Sequence, residues 1–436
     1  MNRVHELIAD IDRLTPGESL DVEPLRILAM PGFRSAFQVD DATMASAGAM
    51  NLAFGQDSID GDRLRTRCTT SVLLDGEPVP SWAPLSGYYD TADGRLLQLH
   101  CNFDHHAEGA VRRLRCDPNR ESVQAAILDW DPVELESALI EDGMIAAYLR
   151  TLDEWNAHPH AHATRDLPLI SVKRIDDAPP RSTTTTRVLD TSRVLAGPVA
   201  GQVFASHGAD VLRVGAAHLP SVDLCVMATG AGKRNTHLDL RNHEDRAVMT
   251  ALLADADVWI DAYGPTALAS HGFEPAMLDA GQVAVRLSAF DTIGPWANRR
   301  GFDSIIQSTT GIVSAGTEAS NSDAPTPLPV QALDYMTGFL AAFAAKRMVD
   351  HQRVHGGTWL VEVSLLRTRN WLVSLGGPTT FSPEKPQPST EHLANFKTDF
   401  GMLRVPMPVG GRHDTAPSPL GRHQPQWPPA PDERGG

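Results

Sequence analysis

The chain has 436 residues, of which 42% are hydrophobic, and its 38 basic and 54 acidic side chains give a net charge of −16. That length suggests two or three domains and a core large enough to need no disulfide or metal staples, while the acidic balance argues against nucleic acid and anionic membrane as partners. Four cysteines without CxxC spacing (Cys68, Cys101, Cys116, Cys225), a charged start and no apolar run of the ~18 residues a membrane span needs set the expectation of a reduced cytoplasmic protein with neither signal peptide nor membrane helix.

In chain order, residues 1–170 mix patterns. Gly87 to His100 alternates about Ala92-Asp93-Gly94 and predicts two strands joined by a tight turn, because Asp-Gly readily supplies positive φ. Pro132 to Leu149 carries a helical pattern. Residues 171–186 read as a linker, since Asp177 to Thr186 has breakers and no apolar periodicity. From Arg187 strands and helices alternate: a strand at Arg187–Asp190, a helix from Pro198 to His207, a strand at Asp210–Val214, a helix from Glu244 to Ala254, then β-rich runs at Asp257–Asp261 and Gln282–Ser288. This alternation predicts an α/β fold: a doubly wound, Rossmann-like large domain over 187–376, beside a smaller α+β domain within about 82–170. Ligands of such sheets sit beyond the carboxyl ends of the strands, so chemistry is sought after Asp190, Val214, Asp261 and Ser288. Residues 377–436 form a tail rich in Pro, Gly and His, ending Trp427 to Gly436, that lacks the apolar surface to order itself and is expected either to be disordered or to drape over the body.

The common catalytic signatures are absent. Ala228 to Arg234 fails as a P-loop because Met227 stands where Gly is needed and Arg234 where Ser or Thr would bind magnesium; Lys233 and Arg234 remain candidate phosphate contacts, a solvated turn being the even alternative. Ala196 to Gln202 lacks the full GxGxxG spacing, so NAD is not expected, and Gly311 to Gly316 has the wrong spacing for a serine-hydrolase elbow. Two histidine groups, His100/His105/His106 and His158/His160/His162 on an extended segment, have no Cys or carboxylate to complete a shell; they read as surface histidines, and no metal site is expected. Asp334 precedes the strongly helical run Phe339–Met348, placing it near a helix N-terminus where the dipole and free N–H groups favour its ionised form. It is either a helix cap or a carboxylate held as a nucleophile for an acyl group.

Several motifs in order give the chain from about Arg187 to Leu372 a specific resemblance to the large domain of the class III CoA-transferases, a family that includes formyl-CoA transferase and 2-methylacyl-CoA racemase. They are Arg187-Val-Leu-Asp-Thr-Ser-Arg-Val-Leu-Ala-Gly-Pro198, His207-Gly-Ala-Asp-Val-Leu-Arg-Val214, Gly232-Lys-Arg-Asn235, Gly264-Pro265, Gly294-Pro-Trp296, Gly301-Phe-Asp303 with Gln307 and Gly311, Ala332-Leu-Asp334 with Gly338, and Val361-Glu-Val-Ser-Leu365. Gly87 to Gly94 and Glu154-Trp155 resemble that family's small domain, which in typical members follows the large one and here precedes it, as a permutation or an ancestral tandem duplication would leave it. The resemblance implies CoA transfer from an acyl-CoA to a free carboxylic acid, Asp334 as the catalytic carboxylate, and contacts to CoA at Val194, Leu195, Ala196, Gly197, Pro198, Lys233, Arg234 and Asp303. It further implies CoA as substrate with no tightly bound cofactor or metal, and a homodimer. The chain departs from the pattern at Leu195, where some relatives hold Gln, at Gly215–Pro220, and at Ser270, where some hold a CoA-contacting Arg; it also lacks a run of glycines like the small-domain loop of certain transferases. Arg299 and Arg300 are further cations for CoA phosphates. Two alternatives follow from the same resemblance: a degenerate paralogue that binds CoA, or another transferase chain, without turnover, and a racemase, whose characteristic His would fall on Phe302.

Overall fold

The computed structural model describes residues 3–264, 266–297, 299–413 and 415–428. In the N-terminal region a helix rich in small residues, α1 (Val39–Ala53), is buried along most of its length. The expected hairpin forms as β1 (Gly87–Asp90) and β2 (Leu96–Leu99), antiparallel with Tyr89 opposite Leu97, and Gly94 supplies the left-handed turn at φ 77°. Helices α2 (Asp104–Leu114) and α3 (Pro132–Glu141) pack on this sheet through Leu97, Leu99, Ala110, Leu135 and Leu139. The helical pattern expected to reach Leu149 stops at Glu141. Gly143 at φ 80° turns the chain, and β3 (Ala146–Tyr148) joins the edge of β2 as a third antiparallel strand. Asp131 and Pro132 start α3 as propensity dictates, the Asp131 carboxylate accepting the Val133 and Glu134 N–H groups at 3.0 Å.

The stretch expected as a linker opens instead with a strand, β4 (Ser171–Asp176), antiparallel on the far edge of the large sheet; residues 177–186 carry no regular structure. Then come β5 (Arg187–Thr191), α4 (Ala196–Ser206), β6 (Asp210–Gly215), β7 (Arg234–His237), β8 (Val258–Asp261), β9 (Val283–Ser288), α5 (Asp303–Thr309), α6 (Ala332–His355), β10 (Thr358–Ser364) and α7 (Leu365–Ser374). The seven strands lie in the order β7-β6-β5-β8-β9-β10-β4, parallel throughout except for β4. Counted from β5, that is the doubly wound 3-2-1-4-5-6 order, and the mixed α/β architecture matches the expectation. The large sheet is mixed and the smaller three-stranded one antiparallel.

Helix α6 is the structural column of the fold. Ala332 through Ala345 are buried without a break, and the helix packs between α1 and α4. At Gly338 a Cβ would meet the Ala196 carbonyl oxygen at 2.6 Å and the Val199 side chain at 2.9 Å, so only glycine lets α6 approach the start of α4 this closely. Each fully buried Leu, Phe or Met on such a column contributes roughly 1.5–3 kcal/mol of hydrophobic stabilisation.

Of the expected tail, residues 377–428 drape over the body except at Asp414, which is outside the description, and residues 429–436 likewise lie outside the described residues. β11 (Leu393–Thr398) and β12 (Gly401–Pro406) extend a short hairpin at Leu73–Pro78 into a four-stranded sheet. Leu403 and Val405 are buried with Val72, Leu224 and Met227: the tail completes an apolar layer whose other members lie more than a hundred residues upstream. Among the described residues no helix is long and apolar enough to cross a membrane.

Candidate active site

The strand order reverses between β5 and β8, and the crevice beyond their carboxyl ends is where the sequence directs attention. A cavity of about 450 Å³ opens there. Its floor is the turn from Thr191 to Gly197, its sides are the ends of β6, β8 and β9, and Phe302, Asp334 and Leu365 close one wall. The N-terminal region adds Phe103, His105, His106 and Ile145, so the smaller sheet's domain completes the site.

Asp334 lies in the first turn of α6, 7% exposed, on the cavity wall. The residue at the N-cap position, Gln331, makes no side-chain cap bond. That work is done from another helix: Asp303, the first residue of α5 and 0% exposed, accepts the Asp334 backbone N–H on Oδ2 at 3.0 Å. Its Oδ1 takes the Gln307 side-chain N–H, and Gln307 in turn accepts the Leu328 N–H at 2.8 Å. The Ala196 backbone at the start of α4 lies beside the Asp334 carboxyl and favours its ionised form. Burial first, and the charge of Asp303 second, push the Asp334 carboxyl well above the usual carboxylate range; burial pushes Asp303 up to about 6. The expectation that the helix end favours an ionised Asp334 is therefore corrected: a dipole worth about 0.3–1 kcal/mol is outweighed by desolvation and a like charge.

The turn against Asp334 is strained and braced. Val194, β-branched, sits at φ 68° in the left-handed region, where such residues are rare. Behind it Asp190 accepts the Ser192 N–H at 3.0 Å and the Lys233 ammonium at 2.8 Å, and the same ammonium donates to the Pro198 carbonyl at 2.6 Å. Of the residues expected to contact CoA, Val194, Leu195, Ala196 and Gly197 line the cavity beside Asp334. Pro198, Lys233, Arg234 and Asp303 do not. Lys233 is buried and occupied by Asp190, Arg234 pairs with Asp210 at 2.8 Å and donates to the Gln426 carbonyl, and Asp303 stands behind Asp334.

The cations that do face the cavity are others. Arg193 and Arg300 line it and have no carboxylate partner among the described residues, whereas Arg299 is held by Glu136 at 2.9 Å and Arg241 by Asp239 at 2.6 Å. The Arg193 guanidinium lies over the Phe103 ring at 5.1 Å and donates to the Pro220 carbonyl. In a chain of net charge −16, these two arginines give the cavity a local positive charge. Arg193 escapes a sequence reading because nothing in its local pattern separates it from a surface charge.

The histidines also depart from expectation. His100, His106 and His160 are buried rather than on the surface, and Pro159–Thr164 is a short helix, not an extended segment. Burial holds His100 at about 4 and His106 at about 3, so both are neutral at physiological pH. His100 stacks on Phe302 with ring centroids 4.1 Å apart, and His160 bonds the Phe290 carbonyl at 2.7 Å. The buried face of α2 was legible in the spacing of His106, Ala110 and Leu114. Among the described residues no group of His, Cys, Asp or Glu is placed to hold a metal ion.

Comparison with known proteins gives one consistent result. Residues 184–399 match the family described as CoA-transferase family III. An acetyl-coenzyme A transferase of Hypoxylon pulicicidum is 28% identical over 226 residues, covering 50% of this chain and 36% of that protein. A succinate–glutarate CoA-transferase of Agrobacterium fabrum is 27% identical over 249 residues, covering 50% of this chain and 62% of that protein. This chain thus spans under two thirds of the length of either relative. Among solved structures, a CaiB/BaiF family protein from Brucella suis aligns over 52% of this chain and 65% of its own, at 22% identity and a TM-score of 0.39.

Proposed function

This chain is homologous to the family III CoA-transferases, and from that premise we propose that it moves CoA from an acyl-CoA donor to a free carboxylic acid through Asp334. The observation that carries the reading is the placement of Asp334: a carboxyl group on the wall of the switch-point cavity, in no ion pair among the described residues, beside the start of α4 at Ala196.

In the proposed reaction Asp334 first loses its proton to solvent. The carboxylate attacks the thioester carbonyl of the donor, the C–S bond breaks, and CoA leaves as the thiolate, giving a mixed anhydride of donor acid and Asp334. The thiolate attacks the aspartyl carbonyl of that anhydride, forming an aspartyl-CoA thioester and releasing the donor carboxylate. The acceptor carboxylate attacks this thioester to give the second anhydride and thiolate; the thiolate then attacks the acceptor's acyl carbonyl, yielding acceptor acyl-CoA and regenerating Asp334. Each step exchanges one acyl bond for another, so thioester energy is conserved and one hard exchange becomes several easier ones. Backbone N–H groups of the turn Leu195 to Gly197 supply the charge stabilisation that each tetrahedral oxyanion needs.

CoA binding is the companion proposal. The anionic phosphates meet Arg193 and Arg300 rather than Lys233 and Arg234, and the turn from Val194 to Gly197 holds the thioester end against Asp334. A homodimer goes with the same reading, and light scattering reads it directly.

The decisive experiment is CoA exchange between a panel of acyl-CoA donors and free carboxylic acids, followed by mass spectrometry, for wild type beside Asp334→Ala. Transfer by wild type and a loss of more than about a thousandfold in the variant is the expected outcome. Equal turnover by both proteins would overturn the assignment; absence of both transfer and CoA binding in wild type would leave the degenerate paralogue.

A further inference from the structure

We propose that Asp303 is the positioning residue of the nucleophile: from the start of α5 its carboxylate takes the Asp334 N–H, replaces the side-chain cap that α6 lacks, and fixes the line along which Asp334 enters the cavity. The inference rests on the reading of Asp334 as nucleophile and gives Asp303 a role distinct from contact with CoA.

A helix N-terminus leaves its first N–H groups without intrahelical partners, and a side-chain acceptor there steadies the whole first turn. Here the acceptor is supplied 31 residues upstream. The Leu333 backbone lies near enough to favour the ionised Asp303, whose second oxygen is held by Gln307, one helical turn along α5. Gln307 carries the clamp onward to Leu328 in the loop entering α6. One buried Asp–Gln pair thus ties two backbone positions, Leu328 and Asp334, to α5. Reactions between held groups are sensitive to displacements of about 1 Å, which can cost on the order of a hundredfold, so the clamp is worth most at the residue that attacks.

The choice of an acid carries a second message. Asparagine caps helices about as well as aspartate, and beside Asp334 it would avoid burying two like charges. Among the described residues no cation acts on either carboxylate. The titratable groups facing the pair are Tyr88 from β1, toward Asp303, and Cys225 from the helix Asp223–Thr229, toward Asp334; Arg193, Arg299, Arg300, His105 and His106 line the cavity they open on. The Asp303 charge therefore acts on Asp334 without a competing ion pair, keeping its proton on to higher pH and making the carboxylate more basic, hence a stronger nucleophile, once ionised.

The test compares wild type with Asp303→Asn and Asp303→Ala in the full chain. Carbodiimide labelling of Asp334, which requires the protonated carboxyl, is followed against pH by peptide mass spectrometry and needs no turnover. In Asp303→Asn the labelling midpoint falls by about one pH unit or more, because the like charge is gone, and the acid limb of the transfer rate moves down with it. In Asp303→Ala, where the acceptor itself is lost, kcat falls on the order of tenfold or more while KM for acyl-CoA stays within about twofold. An unmoved midpoint in Asp303→Asn overturns the electrostatic role, and an unchanged kcat in Asp303→Ala overturns the positioning. Should Asp303→Ala fail to fold, Asp303→Glu decides the positioning instead, because it keeps the charge but displaces the acceptor: a loss of kcat of about tenfold with KM for acyl-CoA within about twofold supports it, and an unchanged kcat overturns it. If wild type transfers no CoA, the transferase reading fails separately, while the labelling midpoint still reports on the Asp303–Asp334 couple.

Discussion

Two pairs of buried charged groups stand at the carboxyl end of the large sheet, and the fold treats them in opposite ways. Asp190 and Lys233 face each other at 2.8 Å, and their remaining capacity goes to Ser192 and the Pro198 carbonyl. Asp303 and Asp334 are joined through the Asp334 N–H, with one glutamine and, among the described residues, no cation beside them. In the first pair attraction and hydrogen bonds offset the cost of leaving water; in the second a like charge adds to it. A carboxylate already neutralised by an ammonium holds the turn in place and has little to offer a substrate. One kept buried beside another acid on an open cavity wall has no such partner, and under the proposed function it is the group that meets the substrate.

The largest expected effect lies on the second pair: Asp334→Ala removes transfer while the protein stays folded, as the exchange experiment reads. On the first pair, Lys233→Met leaves Asp190 buried and unpaired and costs about 3–5 kcal/mol in denaturant unfolding. The double variant Asp190→Asn/Lys233→Met recovers most of that loss; a single variant within about 1 kcal/mol of wild type would show that the pair does not brace the turn. On the cavity rim, Arg193→Ala and Arg300→Ala each weaken CoA binding about tenfold in isothermal titration, with reduced salt dependence. Affinities unchanged in both would move the phosphate site elsewhere.

The smallest effect sharpens the contrast by its sign. An acid whose folded pKa is raised binds its proton more tightly in the native state than in the unfolded one, so its contribution to stability falls as pH rises from the ordinary carboxylate range through the folded value. At neutral pH Asp334→Asn removes that cost and stabilises the protein by ~1 kcal/mol, a gain that shrinks toward pH 4. Denaturant midpoints at the two pH values check it, with intact mass confirming that the amide has not deamidated; a variant less stable than wild type at pH 7 would contradict the electrostatic picture.

Much of the fold was legible because it rests on local pattern. The Asp-Gly turn marked the hairpin, alternating apolar runs and helices marked the doubly wound sheet, and the apolar run after Asp334 marked α6. What was illegible depended on partners far along the chain. Ser171–Asp176 is half-exposed and reads as linker until β10 offers an edge to pair with. Leu403 and Val405 look too sparse to order a tail until Val72 and Leu224 complete their layer.

The same division runs through the site. The sequence by itself determined the sheet type and pointed to the crevice beyond its carboxyl ends and to Asp334 as candidates, because strand alternation and the motif around that residue are local and ordered. Only the tertiary structure decided which charges are free. It turned Lys233 inward to Asp190 and Arg234 to Asp210, left Arg193 and Arg300 on the cavity, and set Asp303 behind Asp334. Charge is written in the sequence, but its desolvation and its neighbours are fixed by packing, and those determine whether a carboxylate or an arginine is spent on structure or kept for chemistry.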